Sequence, residues 1–479
     1  MTARDMGISR QQAPYIAVIT ILGALLGFLL VTLPFSIFIA LMFIGAGLTI
    51  TLVKIENTLY PLYFFSSMSM VTLHIVLPWN KSDWFQMPFQ LYLIFALILW
   101  MVGRASGVIE KRDGTALDWV LIVFLFWASV SLIWARNFTH SVFQLSVLYL
   151  NALAFFLFSA FIRSEDVLRR LVRLMVYSGV VFFITGILSI LAYKTSFGFQ
   201  KVEIFPHINL IYYFEAIEKR ACGFAIHNLA ANWYNLTLAI AFALLLFPEK
   251  NYIRTGALVM AIASMEIGLF LTKSRAGIFS QIPMITFLLI MTPPIRKRFL
   301  KKFTIFFICF VLFFLIANYK NPLAFLKRVA VSVSTTASSE VTIGKRIGYW
   351  KDGIKAAIKA TDGIGGMGIG GFKEYLAPVP HSHSVYISFF HDFGFVGVFI
   401  LAGVVWVLLS GFYRNFKKLE TPDTFPMKIL LGFYGGLVAL SLHSLIEFHY
   451  NSPHIWVFLG FGLAVLGIVT RARRPGALT

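Results

Sequence analysis

Apolar runs of about twenty residues, broken by short polar or basic stretches, recur along almost the whole chain. At 1.5 Å per helical residue such a run crosses roughly 30 Å of hydrocarbon. The pattern predicts spans over residues 14–33, 35–53, 58–78, 86–103, 117–135, 142–162, 172–193, 229–247, 255–272, 276–292, 303–317, 386–412, 427–446 and 454–470. The expected fold class is all-α, a polytopic membrane helix bundle of about 14 (12–14) transmembrane helices. Two longer polar stretches interrupt the runs, at 194–228 and 318–385. They divide the chain into residues 1–317 with the first eleven spans and the smaller loop, the large loop 318–385 carrying short helices, and residues 386–479 with the last spans and a polar tail.

Within the large loop, Ser332–Ser339 is rich in Ser and Thr and reads as irregular. Gly344–Thr361 reads as an amphipathic helix. Ile347, Trp350, Ile354, Ala357 and Ile358 share one face, and Lys351, Lys355 and Lys359 lie on another at i, i+4 spacing. A basic helix of this kind suits a membrane interface. The glycine-rich stretch Gly363–Gly371 ends it as a turn.

Composition strengthens the membrane reading. Hydrophobic residues make up 58% of the 479 positions and charged residues 13%, about half the share of a soluble domain. The polar segment Met1–Gln12 leads into a run too long for a signal-peptide core, so that run is expected to stay as the first span.

The net charge of +20 would suggest nucleic acid in a soluble protein, but here the basic residues punctuate apolar runs, with no aromatic-interleaved basic tract for a strand. Their place sets orientation instead. With the N-terminus in the cytoplasm, most Lys and Arg fall inside, including Arg104, Arg163, Arg169, Arg170, Arg173, Arg254, Arg414 and Arg471. The outer ones gather in the loop 194–228, the Lys273–Arg275 hairpin and the loop 318–385. Long loops translocate regardless of charge, and cations clustered there also suit an anion at the outer membrane surface.

Four sequence elements on that side carry candidate chemistry. His381-Ser382-His383-Ser384 precedes the twelfth span, where a histidine at the water boundary can act as a general base toward a hydroxyl. Gly394 and Gly397, at i, i+3 in that span, would let another helix pack closely. Arg220-Ala221-Cys222-Gly223, followed by His227-Asn228, opens the eighth span. Ser274-Arg275 forms a polar break between two apolar runs, where an ionisable residue is costly and points to function. Arg346 and Trp350 lie ahead of the run Gly366–Phe372, which follows a helix rather than a strand and so is no dinucleotide fingerprint. Arginine suits phosphate through its planar, permanently charged fork. Asp-x-Asp, a phosphate-binding lysine loop and His-Glu-x-x-His are all absent. The two cysteines, Cys222 and Cys309, imply neither a disulfide framework nor a metal site. Acids within the spans are few, notably Glu266 and Asp392, with Glu447 at a span end.

Taken in order, Arg220-x-x-Gly223, His227-Asn228, Ser274-Arg275, Arg346-x-x-x-Trp350, Gly366–Phe372 and His383-Ser384-x9-Gly394-x-x-Gly397 resemble the O-antigen ligase and polymerase superfamily over about residues 215–450. Ser384 stands where Asn is commoner in that pattern, and His227 where many members carry Pro.

The resemblance implies a metal-independent glycosyltransferase of GT-C type in the bacterial inner membrane, needing no cofactor. It would move a glycan from an undecaprenyl diphosphate carrier on the periplasmic face. The first expectation for the acceptor is lipid A-core, as in O-antigen ligase and lipopolysaccharide biosynthesis. The alternatives are a polysaccharide polymerase or related oligosaccharyltransferase and, third, a lipid-linked glycan flippase. Carried over, His383 would be the base or acceptor-positioning group. Arg220, Arg275 and, more weakly, Arg346 would grip the diphosphate. His381, Ser384, His227, Asn228, Gly394 and Gly397 would support them.

Overall fold

The computed structural model describes residues 55–292 and 343–472, apart from 68–70, 78–79, 106–108, 110–113, 193–198, 206–207, 214–224, 250–251, 373–381, 417–423 and 448–449. The spans expected at 14–33, 35–53 and 303–317 lie outside the described residues, as do the Ser332–Ser339 stretch and both cysteines.

The described chain starts with a 3-10 turn and a short helix, α1 (Leu59–Phe65), then two strands, β1 (Val71–Leu77) and β2 (Asn80–Gln86). Helices α2 (Met87–Ala105), α3 (Ala116–Val130, continued by a 3-10 turn, Ser131–Trp134), α4 (Phe138–Phe161) and α5 (Glu165–Ala192) follow. Next come β3 (Phe199–Phe205) and β4 (Ile208–Tyr213), then α6 (His227–Leu246), α7 (Thr255–Leu271) and α8 (Arg275–Ile290). The last part holds α9 (Ile343–Thr361), α10 (Val385–Phe416), α11 (Phe425–His443) and α12 (Pro453–Ala472). Among the described residues seven helices are long and apolar enough to cross a membrane, and three shorter apolar ones join them at Tyr92–Ala105, Thr255–Leu271 and Arg275–Ile290. The helical membrane bundle is the fold expected from the apolar runs.

One expected span is corrected. Residues 58–78 do not form a single crossing. The helix stops at Ser66, whose hydroxyl turns back to the Tyr63 carbonyl. The following Val-Thr-Leu-His-Ile-Val-Leu alternates and is rich in β-branched residues. It becomes the inner strand of a four-stranded antiparallel sheet in the order β2-β1-β4-β3, with His74 opposite both Trp84 and Asn209. The sheet adds strands from the loop 194–228 to an otherwise helical protein.

Helix α6 is the axis of the bundle. Nearly every residue from Ala230 to Leu246 is buried, so it is apolar all round rather than on one stripe. Close approach comes from small residues: a Cβ on Gly432 of α11 would press on the Ala239 carbonyl, and one on Gly277 of α8 on Ala231. Asn235, buried in this helix, donates to the Gly277 carbonyl (2.8 Å) and to Ser280 Oγ (3.0 Å).

Chain direction then sorts the helix ends. The starts of α6, α8, α10 and α12 and the ends of α7 and α11 lie at one end of the bundle, with the start of α4. Arg163, Arg169, Arg170, Arg254, Arg414 and Arg471 lie at the other.

Candidate active site

Three helix starts meet here, two of them, α8 and α10, capped by serine hydroxyls. Between α7 and α8, Lys273 takes a left-handed turn (φ 56°), Ser274 N donates to Thr272 Oγ1 (3.1 Å), and Ser274 Oγ caps α8 by accepting from Gly277 N (3.3 Å). Arg275 is therefore the first residue of α8, half-buried. His227 and Asn228 open α6 after an extended Ile226. At α10, Ser384 Oγ accepts from Ile387 N (3.5 Å). Unpaired amides and the helix dipole make each start mildly positive.

His383 sits on a left-handed residue (φ 54°), a conformation uncommon outside glycine. Its neighbours hold it there. Trp350 Nε1 donates to the Ser382 carbonyl (2.9 Å), Ser382 Oγ donates to the Ser384 carbonyl (2.8 Å), and Val385 N donates to the Ser444 carbonyl (2.9 Å). The His383 loop is thus tied to α9 on one side and to the end of α11 on the other.

The convergence point is Glu447, 7% exposed, just beyond α11. Asn228 Nδ2 donates to its Oε1, and Arg346 Nη2 lies 3.2 Å from the same oxygen. Arg346 Nη1 donates to the Ile446 carbonyl. His383 Nδ1 lies 3.6 Å from Oε2. Asn228 Oδ1 accepts in turn from Ser274 Oγ (2.7 Å), which links the α8 cap to the carboxylate. One turn back, His443 is within electrostatic reach of Glu447, Arg346 and His227. Residues distant in the chain, from α6, the α7–α8 turn, α9, the α10 start and the α11 end, share one polar cluster.

The glycine run forms the expected turn after α9 and is also a packed clasp. Met367, Ile369 and Phe372 are buried. Met367 N donates to the His391 carbonyl (2.8 Å) and Gly368 N to the Asp392 carbonyl (3.0 Å). Those carbonyls are free because α10 breaks at Gly394 (φ 65°). The run is fastened to α3 and α4 as well: Ile369 N donates to Ser131 Oγ (3.2 Å) and Ser141 Oγ to the Ile369 carbonyl (2.7 Å). Gly394 and Gly397 are corrected with it. A Cβ at Gly394 would collide with the backbone of Gly363 and Ile364, and one at Gly397 with Phe393 of the same folded-back helix. They serve the break and the clasp rather than the approach of another membrane helix. Below the clasp, Asp392 contacts His391 Nδ1 (2.7 Å) and accepts from Tyr450 OH (2.8 Å). Burial, with the Asp392 carboxylate adding to it, pushes the Tyr450 phenol well above its ordinary value, so it stays a neutral donor.

The amphipathic helix exists as α9. Of its expected apolar face, Ala357 is buried, Trp350 and Ile354 are half-buried, and Ile347 and Ile358 are exposed at the rim. The Arg346–Glu447 pair and the Trp350–Ser382 bond hold it in place, and Gly353 fits under Phe372 and His391.

Of the expected site residues, His383, Arg346 and Asn228 meet at Glu447, Ser384 caps the α10 start, and His227 and Arg275 begin helices at the same end. Arg220 and His381 lie outside the described residues. Glu447 is the residue that motif reading passed over. In the sequence it is one acid after an apolar run, and no spacing marks it.

These features define a class, a multi-pass helical membrane protein with a polar cluster at one end of its bundle. Residues 256–402, about a third of the chain, match the family model described as O-Antigen ligase, so this segment is similar to that family. No curated protein matches the chain. The matched segment contains Arg275, Gly394 and Gly397 and, of the Glu447 cluster, Ser274, Arg346 and His383; Asn228 and Glu447 lie outside it.

Proposed function

We propose that the protein transfers a glycan from an undecaprenyl diphosphate carrier to lipid A-core on the periplasmic side of the inner membrane. The observation that carries the reading is the convergence of His383, Arg346 and Asn228 at Glu447, beside the helix starts that bear Arg275 and His227. In the proposed step an acceptor hydroxyl oxygen attacks the anomeric carbon of the carrier-linked sugar. The bond from that carbon to the diphosphate oxygen breaks, and the diphosphate leaves with the electron pair. His383 takes the hydroxyl proton, a contribution of about 10²–10⁴-fold in such reactions. Arg275 and the α8 start meet the charge growing on the leaving group, the larger electrostatic share. Arg220 is assigned to the same diphosphate by resemblance. Arg346, already held by Glu447, is assigned to shaping the site.

The test is purified full-length protein with carrier-linked glycan, offered lipid A-core or a second carrier-linked glycan, with and without chelator. Transfer to lipid A-core that survives the chelator and is lost in His383→Ala and Arg275→Ala is the expected result. Elongated carrier-linked chains would make the protein a polymerase. Full transfer by both variants would overturn the site assignment.

A further inference from the structure

We infer that Glu447 is the positioning residue for His383, holding its imidazole so that Nδ1 faces the carboxylate and Nε2 faces the acceptor. The inference rests on the transferase reading above and adds to it a residue outside the segment that matches the family model.

The two carboxylate oxygens are divided between two tasks. Oε1 takes Asn228 Nδ2 and Arg346 Nη2, while Oε2 faces His383 Nδ1 at 3.6 Å. Arg346 is anchored a second time at the Ile446 carbonyl, and Asn228 is anchored by Ser274. Glu447 is therefore fixed in orientation by groups other than the histidine. The backbone of His383 is fixed independently through Ser382 and Val385. Two rigid supports bring the charge and the ring together, an arrangement suited to setting a tautomer.

Neutral His383 carries its hydrogen on Nδ1, toward Glu447, so Nε2 offers its lone pair to the acceptor hydroxyl. When the glycosidic bond forms, that hydroxyl proton passes to Nε2. The resulting imidazolium is stabilised by the ionised Glu447, which takes up no proton, and the proton leaves to water with the product. A separation of 3.6 Å is longer than a strong hydrogen bond, and catalytic contacts of this kind tighten once the charged form appears.

Among the described residues, Arg346 from α9 lies against Glu447, and His443 from α11 is within electrostatic reach of Glu447, Arg346 and His227 of α6. Within that set Glu447 is the acid, so it supplies the negative charge that an imidazolium on His383 would meet. Without that charge the acid limb of the rate profile should move to lower pH.

The experiment measures transfer rates of the purified full-length protein against pH for wild type, Glu447→Gln and Glu447→Asp, with His383→Ala as reference. Glu447→Gln is expected to lower kcat about 10²-fold with KM nearly unchanged and to move the acid limb down by about one pH unit. Glu447→Asp keeps the charge, so it should keep the limb in place and recover part of the rate. A Glu447→Gln enzyme that loses rate with an unmoved limb would show that the carboxylate only anchors Arg346, and would overturn the inference. If Glu447→Gln does not fold, a shifted limb in Glu447→Asp overturns it equally. Undiminished transfer by His383→Ala would instead overturn the underlying reading.

Discussion

Two carboxylates tie helix ends together at opposite ends of this bundle, and their partners differ. Glu249, in the turn after α6, accepts from Lys428 Nζ and lies 3.9 Å from Arg169 Nη2. Arg169 also pairs with Glu165 and stacks 4.0 Å over the Phe425 ring. Tyr252 OH donates to the Arg169 carbonyl, and burial holds that phenol above its ordinary value despite the pull of Arg173 and Arg169. Glu447 is about a third as exposed as Glu249, 7% against 22%, and its partners include a histidine. Both clusters join distant segments. The Glu447 cluster includes imidazoles, those of His383 and His443, whereas the Glu249 cluster is built from Lys, Arg, Glu and Tyr side chains. An ion-pair knot by itself is architecture; a buried one that includes histidine on a strained backbone can perform chemistry.

The comparison can be broken by substitution at each end. The largest effect is expected at His383. His383→Ala should reduce transfer by about 10³-fold or more while leaving folding intact, measured as initial rate against monodisperse protein on size exclusion. Close behind is Gly394→Ala, which forces a side chain into the left-handed conformation and against the Ile364 carbonyl. It should cost about 3 kcal/mol or more, seen as loss of folded protein on heating, with transfer falling as the clasp opens. Arg275→Lys should retain charge but lose the planar fork, lowering kcat roughly tenfold where Arg275→Ala lowers it about 10²-fold. The smallest effect belongs to the other end. Glu249→Gln should change stability by about 1 kcal/mol and leave the transfer rate within about twofold of wild type. A tenfold loss of transfer there would erase the distinction between the two carboxylates.

Much of this protein is legible along the chain because lipid imposes a one-dimensional rule. Ten of the expected spans fall on apolar helices, nine of them to within a few residues and the tenth, 172–193, on a helix that begins two turns earlier at Glu165, since backbone groups in hydrocarbon must pair within the segment. The failure at residues 58–78 has a cause in the same terms. Val71–Leu77 is apolar enough for a span, and its pairing with β2 and β4 makes it a strand. Nothing near it in sequence reports those partners. On α9 the local periodicity holds at Trp350, Ile354 and Ala357, while the burial of Gly353 comes from Phe372 and His391, partners the sequence around it does not report.

The membrane class, the polar breaks and the residue types able to meet a diphosphate and a hydroxyl are all readable along the chain. Those follow from composition and local spacing, which require no partner. Tertiary structure alone decided that Asn228, Arg346 and His383, up to 155 residues apart in number, share Glu447. It decided too that Gly394 breaks a helix so that the run from Gly366 can close on it. A carboxylate's role depends on which charges and donors surround it, and in a bundle those arrive from different helices.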